Sequence, residues 1–185
     1  MGTAKQLLPL AGKPVIRHCL DSVLATGICD IIAVLGFQGE DIAQVLHDLP
    51  VRIVFNRLQK SEMADSVRTG LSAAAPSSTG IIIYPSDYPL VKSETVATLV
   101  NEHERFPGRI IIPLHNEQRG HPALFPRDLI NEIFEGITLR DIINRDARRI
   151  RFVSVPDSGV LFDIDTEEDY AKIVRAVNLA GGRLP

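Results

Sequence analysis

Gly80-Ile81-Ile82-Ile83-Tyr84-Pro85-Ser86-Asp87-Tyr88-Pro89-Leu90 is the stretch whose reading decides the fold. Three consecutive isoleucines and a tyrosine have high β preference and leave no polar side for water, the pattern of a strand covered on both faces and so expected mid-sheet. Pro85 and Pro89 cannot donate to a ladder, so the strand stops there. Asp87 is then carried into the crevice beyond the strand's carboxyl end, where open α/β sheets bind ligands. That position suits a metal ligand; an Asp that closes a turn with its own side chain is the ordinary alternative.

Upstream of this strand, residues 2–10 read as an irregular opening segment. Pro14 then starts a helix with Val15, Ile16, Cys19, Leu20, Val23 and Leu24 on one face, ended by Gly27. An apolar strand over residues 31–35, a short helix over 41–47 and a strand over 51–55 form a β-α-β unit, and a helix over 64–75 leads back to the isoleucine strand. Downstream, Ser93 is positioned to cap a helix running to Arg105. Strands follow over 109–113 and 123–125, short helices over 127–134 and 139–144, and strands over 151–155 and 160–162. In the last helix Asp165 or Thr166 can cap, and Glu167, Glu168 and Asp169 place negative charge in the first turn. Strands alternating with helices predict an α/β fold, a mostly parallel sheet with helices on both faces, in one domain over residues 1–185.

At 185 residues one such domain buries about 70% of its unfolded surface. A net charge of −3 without long runs of either sign advertises no nucleic-acid surface. Arg145-Asp146-Ala147-Arg148-Arg149-Ile150-Arg151, the densest basic cluster, reads as a solvated helix end. The apolar stretch 7–16 is broken by Pro9, Gly12, Lys13 and Pro14, so it is neither a secretion signal nor a membrane span, and a cytoplasmic protein is expected. Gln6 stands where a myristoylation signal wants Ser or Thr. Cys19 and Cys29 lack CxxC spacing and read as reduced thiols.

Three constellations could carry chemistry. Asp87 with Asp163 and Asp165 would meet over one crevice if their strands are parallel neighbours, and a hard cation such as Mg²⁺ takes one or two such oxygens plus substrate phosphates. Against this, Asp165 before Thr166 and three acids is also a plain helix-start signature. Asp163-Ile164-Asp165 matches the short D-x-D pattern of many glycosyltransferases, but it lies near the end of the chain instead of after a mid-chain strand. The second constellation is basic: Lys5, Lys13 and Arg17 with Arg68. A positioned Lys with Mg²⁺ offsets the charge of a transferring phosphoryl group, while a solvated surface lysine is the commoner situation. In the third, Arg119-Gly120-His121-Pro122, no Ser or Cys nucleophile stands beside the histidine, so binding is the better reading than a hydrolytic triad. No G-x-S-x-G, Walker or dinucleotide glycine motif is present.

The ordered set of motifs resembles the MobA-like nucleotidyltransferases, most closely the molybdenum-cofactor cytidylyltransferases. Met1-Gly2-Thr3-Ala4-Lys5-Gln6-Leu7-Leu8-Pro9-Leu10 is similar to the latter part of R-M-G-x-x-K-x-L-L-P-L. Met63-Ala64-Asp65-Ser66-Val67-Arg68-Thr69-Gly70-Leu71 is similar to G-M-S-x-S-L-R-x-G-L, and Ser86-Asp87-Tyr88-Pro89-Leu90-Val91 to G-D-Q-P-L-V. Arg119-Gly120-His121-Pro122 and Asp163-Ile164-Asp165-Thr166-Glu167-Glu168-Asp169 resemble R-G-H-P and D-I-D-T-P-E-D.

The resemblance implies a three-layer Rossmann-like fold and an Mg²⁺-dependent transfer of a nucleoside monophosphate to a phosphorylated acceptor such as molybdopterin, releasing pyrophosphate. CTP is the favoured nucleotide and GTP the alternative. Lys5 would hold the triphosphate and act in catalysis with Asp87. Asp65, Ser66 and Arg68 would lie at the nucleotide, Arg119 and His121 at the pterin-type acceptor, and Asp87, Asp165 and Asp163 at the metal. Ser86, Tyr88 and Glu62 depart from the family's Gly, Gln and Gly.

The family pattern also has a first strand, an L-A-A-G loop that cradles the triphosphate and an arginine, all ahead of the Met at position 1. A natural start upstream of Met1 is the expectation. Poor nucleotide binding by this chain is a second expectation, and exposed strand edges that pair two copies a third. The alternatives are a catalytically silent binding or regulatory relative and a sugar-phosphate nucleotidyltransferase.

Overall fold

The computed structural model describes residues 4–36 and 39–179, so Met1, Gly2 and Thr3 of the first motif lie outside it. A 3-10 turn, Lys5–Leu7, leads into a small antiparallel hairpin, β1 (Pro9–Leu10) and β2 (Lys13–Pro14), where irregular chain was expected. Ala11 and Gly12 make its turn with φ of 44° and 85°, backbone that strongly favours glycine. The chain continues through α1 (Val15–Leu24), β3 (Ile32–Leu35), α2 (Glu40–Leu46), β4 (Arg52–Phe55), α3 (Met63–Ala73) and β5 (Gly80–Ile83). It then passes through α4 (Ser93–Arg105), β6 (Ile110–His115), β7 (Gln118–Arg119), β8 (Ala123–Pro126), α5 (Arg127–Ile130), α6 (Leu139–Asn144), β9 (Ile150–Ser154) and α7 (Glu167–Leu179).

Most predicted elements are present, and the differences have local causes. Residues 158–161 form a 3-10 turn in place of a strand. Asp157 Oδ1 accepts from the Gly159 N–H, and its Oδ2 accepts from the Lys92 N–H and the Thr95 hydroxyl. A side chain has captured backbone that a ladder would need. The helix expected over 127–134 is split into α5 and a 3-10 turn, Asn131–Glu135, that ends at Gly136 with φ 86°. Ser93 is the first residue of α4 and not its cap: Lys92 holds that position, and the Ser93 hydroxyl donates to Glu94.

Two separate sheets matter for the site. β3 and β4 pair in parallel, as the β-α-β reading required. The larger sheet runs β5-β8-β6-β7, with β9 parallel on the other edge of β6. Because β5 and β6 are each antiparallel to β8, they run in the same direction, joined by β9; only β7 and β8 run against them. Helices cover both faces. Ile81 and Ile83 pack with α3 residues Val67 and Leu71 on one side, and Ile82 packs with Leu99 of α4 on the other, the period-2 alternation of a strand.

The mid-sheet expectation for the isoleucine strand is not met. Among the described residues β5 is hydrogen-bonded only to β8, and all four of its residues are half-buried. No helix among the described residues is long and apolar enough to cross a membrane.

Candidate functional site

Asp87 lies in the loop after β5, and the segment 163–165 reaches it by a backbone contact. The Ile164 N–H donates to the Asp87 carbonyl at 3.0 Å, and Ile164 itself is fully buried. Asp165 therefore arrives on a turn, not on the strand end that the sequence suggested. Its other predicted role, capping α7, is taken by Thr166. The Thr166 hydroxyl oxygen accepts from the Asp169 N–H at 3.1 Å, and Asp169 Oδ2 accepts from the Thr166 N–H and hydroxyl at 3.0 and 2.7 Å. This reciprocal cap satisfies the helix start, so the Asp165 carboxylate is left to face the loop.

Lys5 fills the space between the two carboxylates. Its Nζ donates to Asp87 Oδ2 at 2.6 Å and to Asp165 Oδ1 at 2.9 Å. The turn that carries it is tied down by its neighbour, since Gln6 Nε2 donates to the Ser86 hydroxyl at 3.3 Å. Asp87 is the enclosed partner, with its side chain 18% exposed against 66% for Asp165. Its second oxygen, Oδ1, is buried with no hydrogen-bond partner among the described residues. A buried carboxylate oxygen in that state is an acceptor held ready for a ligand.

The electrostatics follow from this crowding. Burial alone would lower the Lys5 pKa, but hydrogen bonds and attraction from Asp87 and Asp165 outweigh it and raise the value. Asp163 sits beside the pair; burial first, then the charges of Asp165 and Asp87, pushes its carboxyl up. His121 packs its ring on Tyr88 with centroids 4.9 Å apart. Burial lowers its pKa despite the opposing pull of Asp87 and Asp163, so it is neutral at pH 7. Its Nδ1 is buried without a partner among the described residues. Burial also holds the Tyr88 hydroxyl protonated, its pKa pushed up to about 12. The glycine before His121 is required by packing: a Cβ there would lie 2.6 Å from the Val160 backbone oxygen and side chain.

Lys5, Asp87, Asp165 and His121 are thus brought together, with Asp163 alongside. The remaining candidates are not in this group. Asp65 accepts from the Glu62 N–H at the start of α3, which with Arg68 holds its carboxyl low. Arg68 donates to Asp65 and to the Ile133 carbonyl. The Ser66 hydroxyl accepts from Asn56 Nδ2 at 3.3 Å. Arg119 lies over the Phe152 ring, 4.7 Å from its centroid. Of the basic constellation only Lys5 belongs to the site: Lys13 pairs with Asp21, and Arg17 with Asp48 and the Val45 carbonyl. Sequence reasoning missed Gln6, though it stands inside a motif it had marked, and of the two caps it offered for the last helix, Asp165 or Thr166, the structure uses Thr166.

A metal fits two of the three acids. Among the described residues no group of three or more His, Cys, Asp or Glu converges closely enough to hold an ion by protein ligands alone, so Asp163 does not complete a three-carboxylate site. Asp87 and Asp165 do converge, on a cation already lying between them, and Asp87 has an unused oxygen. Two carboxylates with substrate phosphates and water are what a hard divalent ion requires.

Comparison with known proteins identifies the family and the fold. The family model of the MobA-like NTP transferase domain matches residues 1–151. Nicotine blue oxidoreductase of Paenarthrobacter nicotinovorans is 24% identical over 181 residues, covering 92% of this chain and 87% of that protein. Against the bifunctional protein GlmU of Nitrosomonas europaea, 25% identical, the match takes 81% of this chain and only 32% of the relative. Among solved structures, Rv0371C of Mycobacterium tuberculosis in complex with manganese superposes with a TM-score of 0.78 at 25% identity, over 94% of this chain and 92% of that one. A nucleotidyl transferase from Methanothermobacter thermautotrophicus shares the fold, with a TM-score of 0.83 at 22% identity over 96% and 87% of the two chains.

Proposed function

Since the chain belongs to the MobA-like NTP transferase domain family, a family of nucleotidyltransferases, we propose that it transfers a nucleoside monophosphate from a triphosphate to a phosphorylated acceptor in the cytoplasm. CTP is the favoured donor, molybdopterin or a related pterin phosphate the acceptor, and Mg²⁺ the cation. The observation that carries this reading is Lys5 Nζ held at 2.6 and 2.9 Å between Asp87 and Asp165.

In this reaction an acceptor phosphate oxygen forms a bond to the α-phosphorus, and the bond from that phosphorus to the bridging oxygen of the β-phosphate breaks, releasing pyrophosphate. Little covalent chemistry is asked of the protein, so positioning and charge neutralisation dominate. Asp87 and Asp165 would hold the divalent ion, which when bound neutralises charge on the phosphates. Lys5 supplies a second positive charge from the same place and can turn its ammonium to phosphate oxygens. The neutral His121, with a buried Nδ1 unused among the described residues, is suited to hydrogen-bond the acceptor.

The test is pyrophosphate release with each nucleoside triphosphate, with Mg²⁺ or Mn²⁺ and a phosphorylated pterin. Asp87→Ala should lower turnover by about 10²-fold or more, the usual loss when one group stabilising transition-state charge is removed. It should also weaken Mn²⁺ binding read by paramagnetic resonance. No turnover with any triphosphate, together with Mn²⁺ binding indifferent to Asp87→Ala, would sink the reading.

A further inference from the structure

Among the described residues two buried carboxylates lie outside the Lys5 group, and they are held differently. Glu102 of α4, 8% exposed, faces the guanidinium groups of Arg105 and Arg151. Asp157 is 2% exposed, and its three hydrogen-bond partners among the described residues are uncharged. Its Oδ1 accepts from the Gly159 N–H at 2.9 Å, and its Oδ2 accepts from the Lys92 N–H at 2.9 Å and the Thr95 hydroxyl at 2.6 Å. Burying a carboxylate without a cation is costly, so closing a local turn is not a sufficient account of it. A carboxylate has two oxygens that both accept, and here each serves a different part of the chain. Oδ1 holds its own turn, and Oδ2 holds the start of α4, 65 and 62 residues away.

Both joined segments lead into the candidate site. Lys92 closes the loop that carries Asp87, and Pro89 and Val91 are buried between them. The turn after Asp157 lies directly on that loop: a Cβ at Gly159 would come 2.1 Å from the Leu90 carbonyl oxygen. Beyond Gly159 the same segment meets the site residues in order. The Val160 carbonyl accepts from the His121 N–H at 2.9 Å, and the Ile164 N–H donates to the Asp87 carbonyl at 3.0 Å. Asp165 follows, against Lys5.

We propose that Asp157 is a positioning residue for the metal site, a clasp that holds the Asp87 loop and residues 158–165 as one unit. It thereby fixes the approach of Asp87 to Asp165 and the place of His121, while lying behind the site and not in it. This role rests on the metal-dependent transfer proposed above. A site of two carboxylates depends on such a clasp, because each arrives on a loop and, among the described residues, no third protein ligand limits their separation. Groups that orient metal ligands from outside change affinity by about 10- to 100-fold. The clasp needs both oxygens of Asp157, since with one acceptor either the turn or the start of α4 is released.

Asp157→Asn tests this at nearly constant volume, because its single carbonyl oxygen can serve Gly159 or Lys92 but not both. Two measurements are made on the full chain. Amide hydrogen exchange without metal, resolved by residue, should become about tenfold faster or more at His121 and Ile164, beyond any change at Ile111 of β6. Mn²⁺ binding to the folded protein, read by paramagnetic resonance, should weaken about tenfold. Thr95→Val removes one hydroxyl donor and leaves both backbone bonds, so it should give the same two changes at smaller size, and it carries the test if Asp157→Asn does not fold. Glu102→Gln is the control for lost stability alone and should leave Mn²⁺ affinity unchanged. Unaltered exchange at His121 and Ile164 would overturn the clasp. Faster exchange there with wild-type Mn²⁺ affinity, or an equal loss of affinity in Glu102→Gln, would make Asp157 a structural residue only. Wild-type protein that binds no Mn²⁺ would overturn the metal reading itself, and the role with it, whatever the exchange shows.

Discussion

The chain contains two isoleucine triplets, Ile81-Ile82-Ile83 and Ile110-Ile111-Ile112, and they behave differently. Ile110 and Ile111 are 0% exposed and Ile112 is 4% exposed, whereas every residue of β5 is only half-buried. Composition is the same, so the cause is the neighbourhood: β6 is flanked by β8 on one edge and β9 on the other, and among the described residues β5 has β8 alone. The carboxyl ends differ too. β6 ends in His115, whose Nδ1 donates to the Val155 carbonyl at 3.1 Å, so it is used in structure. β5 leads to Asp87, which faces Lys5 and belongs to the proposed metal site. On the proposed function, the well-paired strand carries stability and the half-paired one leads to the chemistry.

Alanine substitution is the strongest challenge to that division. Ile111 packs with Leu99 and Leu124 in the centre of the larger sheet, so Ile111→Ala should cost about 3 to 4 kcal/mol, within the range for buried large-to-small changes. Ile82→Ala, in β5, should cost about 1 to 2 kcal/mol, because less contact area is lost. Urea unfolding midpoints compare the two directly. Equal losses would mean that β5 is as firmly built in as β6, and the division would fail.

Glycine positions give a finer comparison. A Cβ at Gly120 would meet the Val160 backbone oxygen at 2.6 Å, and backbone cannot rotate away; a Cβ at Gly80 would meet the His103 ring at 2.7 Å, and a ring can turn. Gly120→Ala should therefore cost about 1 to 3 kcal/mol by overpacking, and Gly80→Ala less. Thermal unfolding of the two variants ranks them, and the reverse order would show that the start of β5 is the stiffer place.

Much of this architecture was legible in the residues. Periodicity marked α1, α3, α4 and α7, and an apolar run bounded by prolines delivered Asp87 to the crevice. The parts that were not legible depend on partners distant in sequence. A triple isoleucine cannot say how many strands lie beside it, so β5 was read as central. Asp165 looked like a cap because Asp and Thr both start helices; only the geometry assigns the cap to Thr166 and the carboxylate to Lys5. Asp65 and Arg68 lie in a motif expected at the nucleotide, yet i,i+3 spacing on a helix equally makes an ion pair, and that is what forms. The turn at 158–161 replaced a strand because Asp157 captured its backbone, an event with no signature in apolar patterning.

The smallest effect concerns pH, and it bears on the half-paired side of the molecule. His18 contacts the β1 carbonyl of Leu10 at 2.7 Å, His103 lies beneath Gly80, and His121 stands by Asp87. Burial lowers the pKa of all three below the usual 6.5, outweighing the Leu10 hydrogen bond at His18, the Glu104 charge at His103 and the Asp87 and Asp163 charges at His121. Between 6.5 and those lowered values the unfolded chain binds more protons than the folded one, so stability is complete above that window and declines as pH falls through it. Unfolding by urea should therefore become easier between about pH 7 and pH 5, within the range where histidine titrates. His121→Gln should flatten part of that slope by removing a group that must be kept neutral in the fold. A stability that holds level or rises on acidification over this range would show that these three imidazoles are solvated, and that the β5 side is more open than the packing of His18, His103 and His121 indicates.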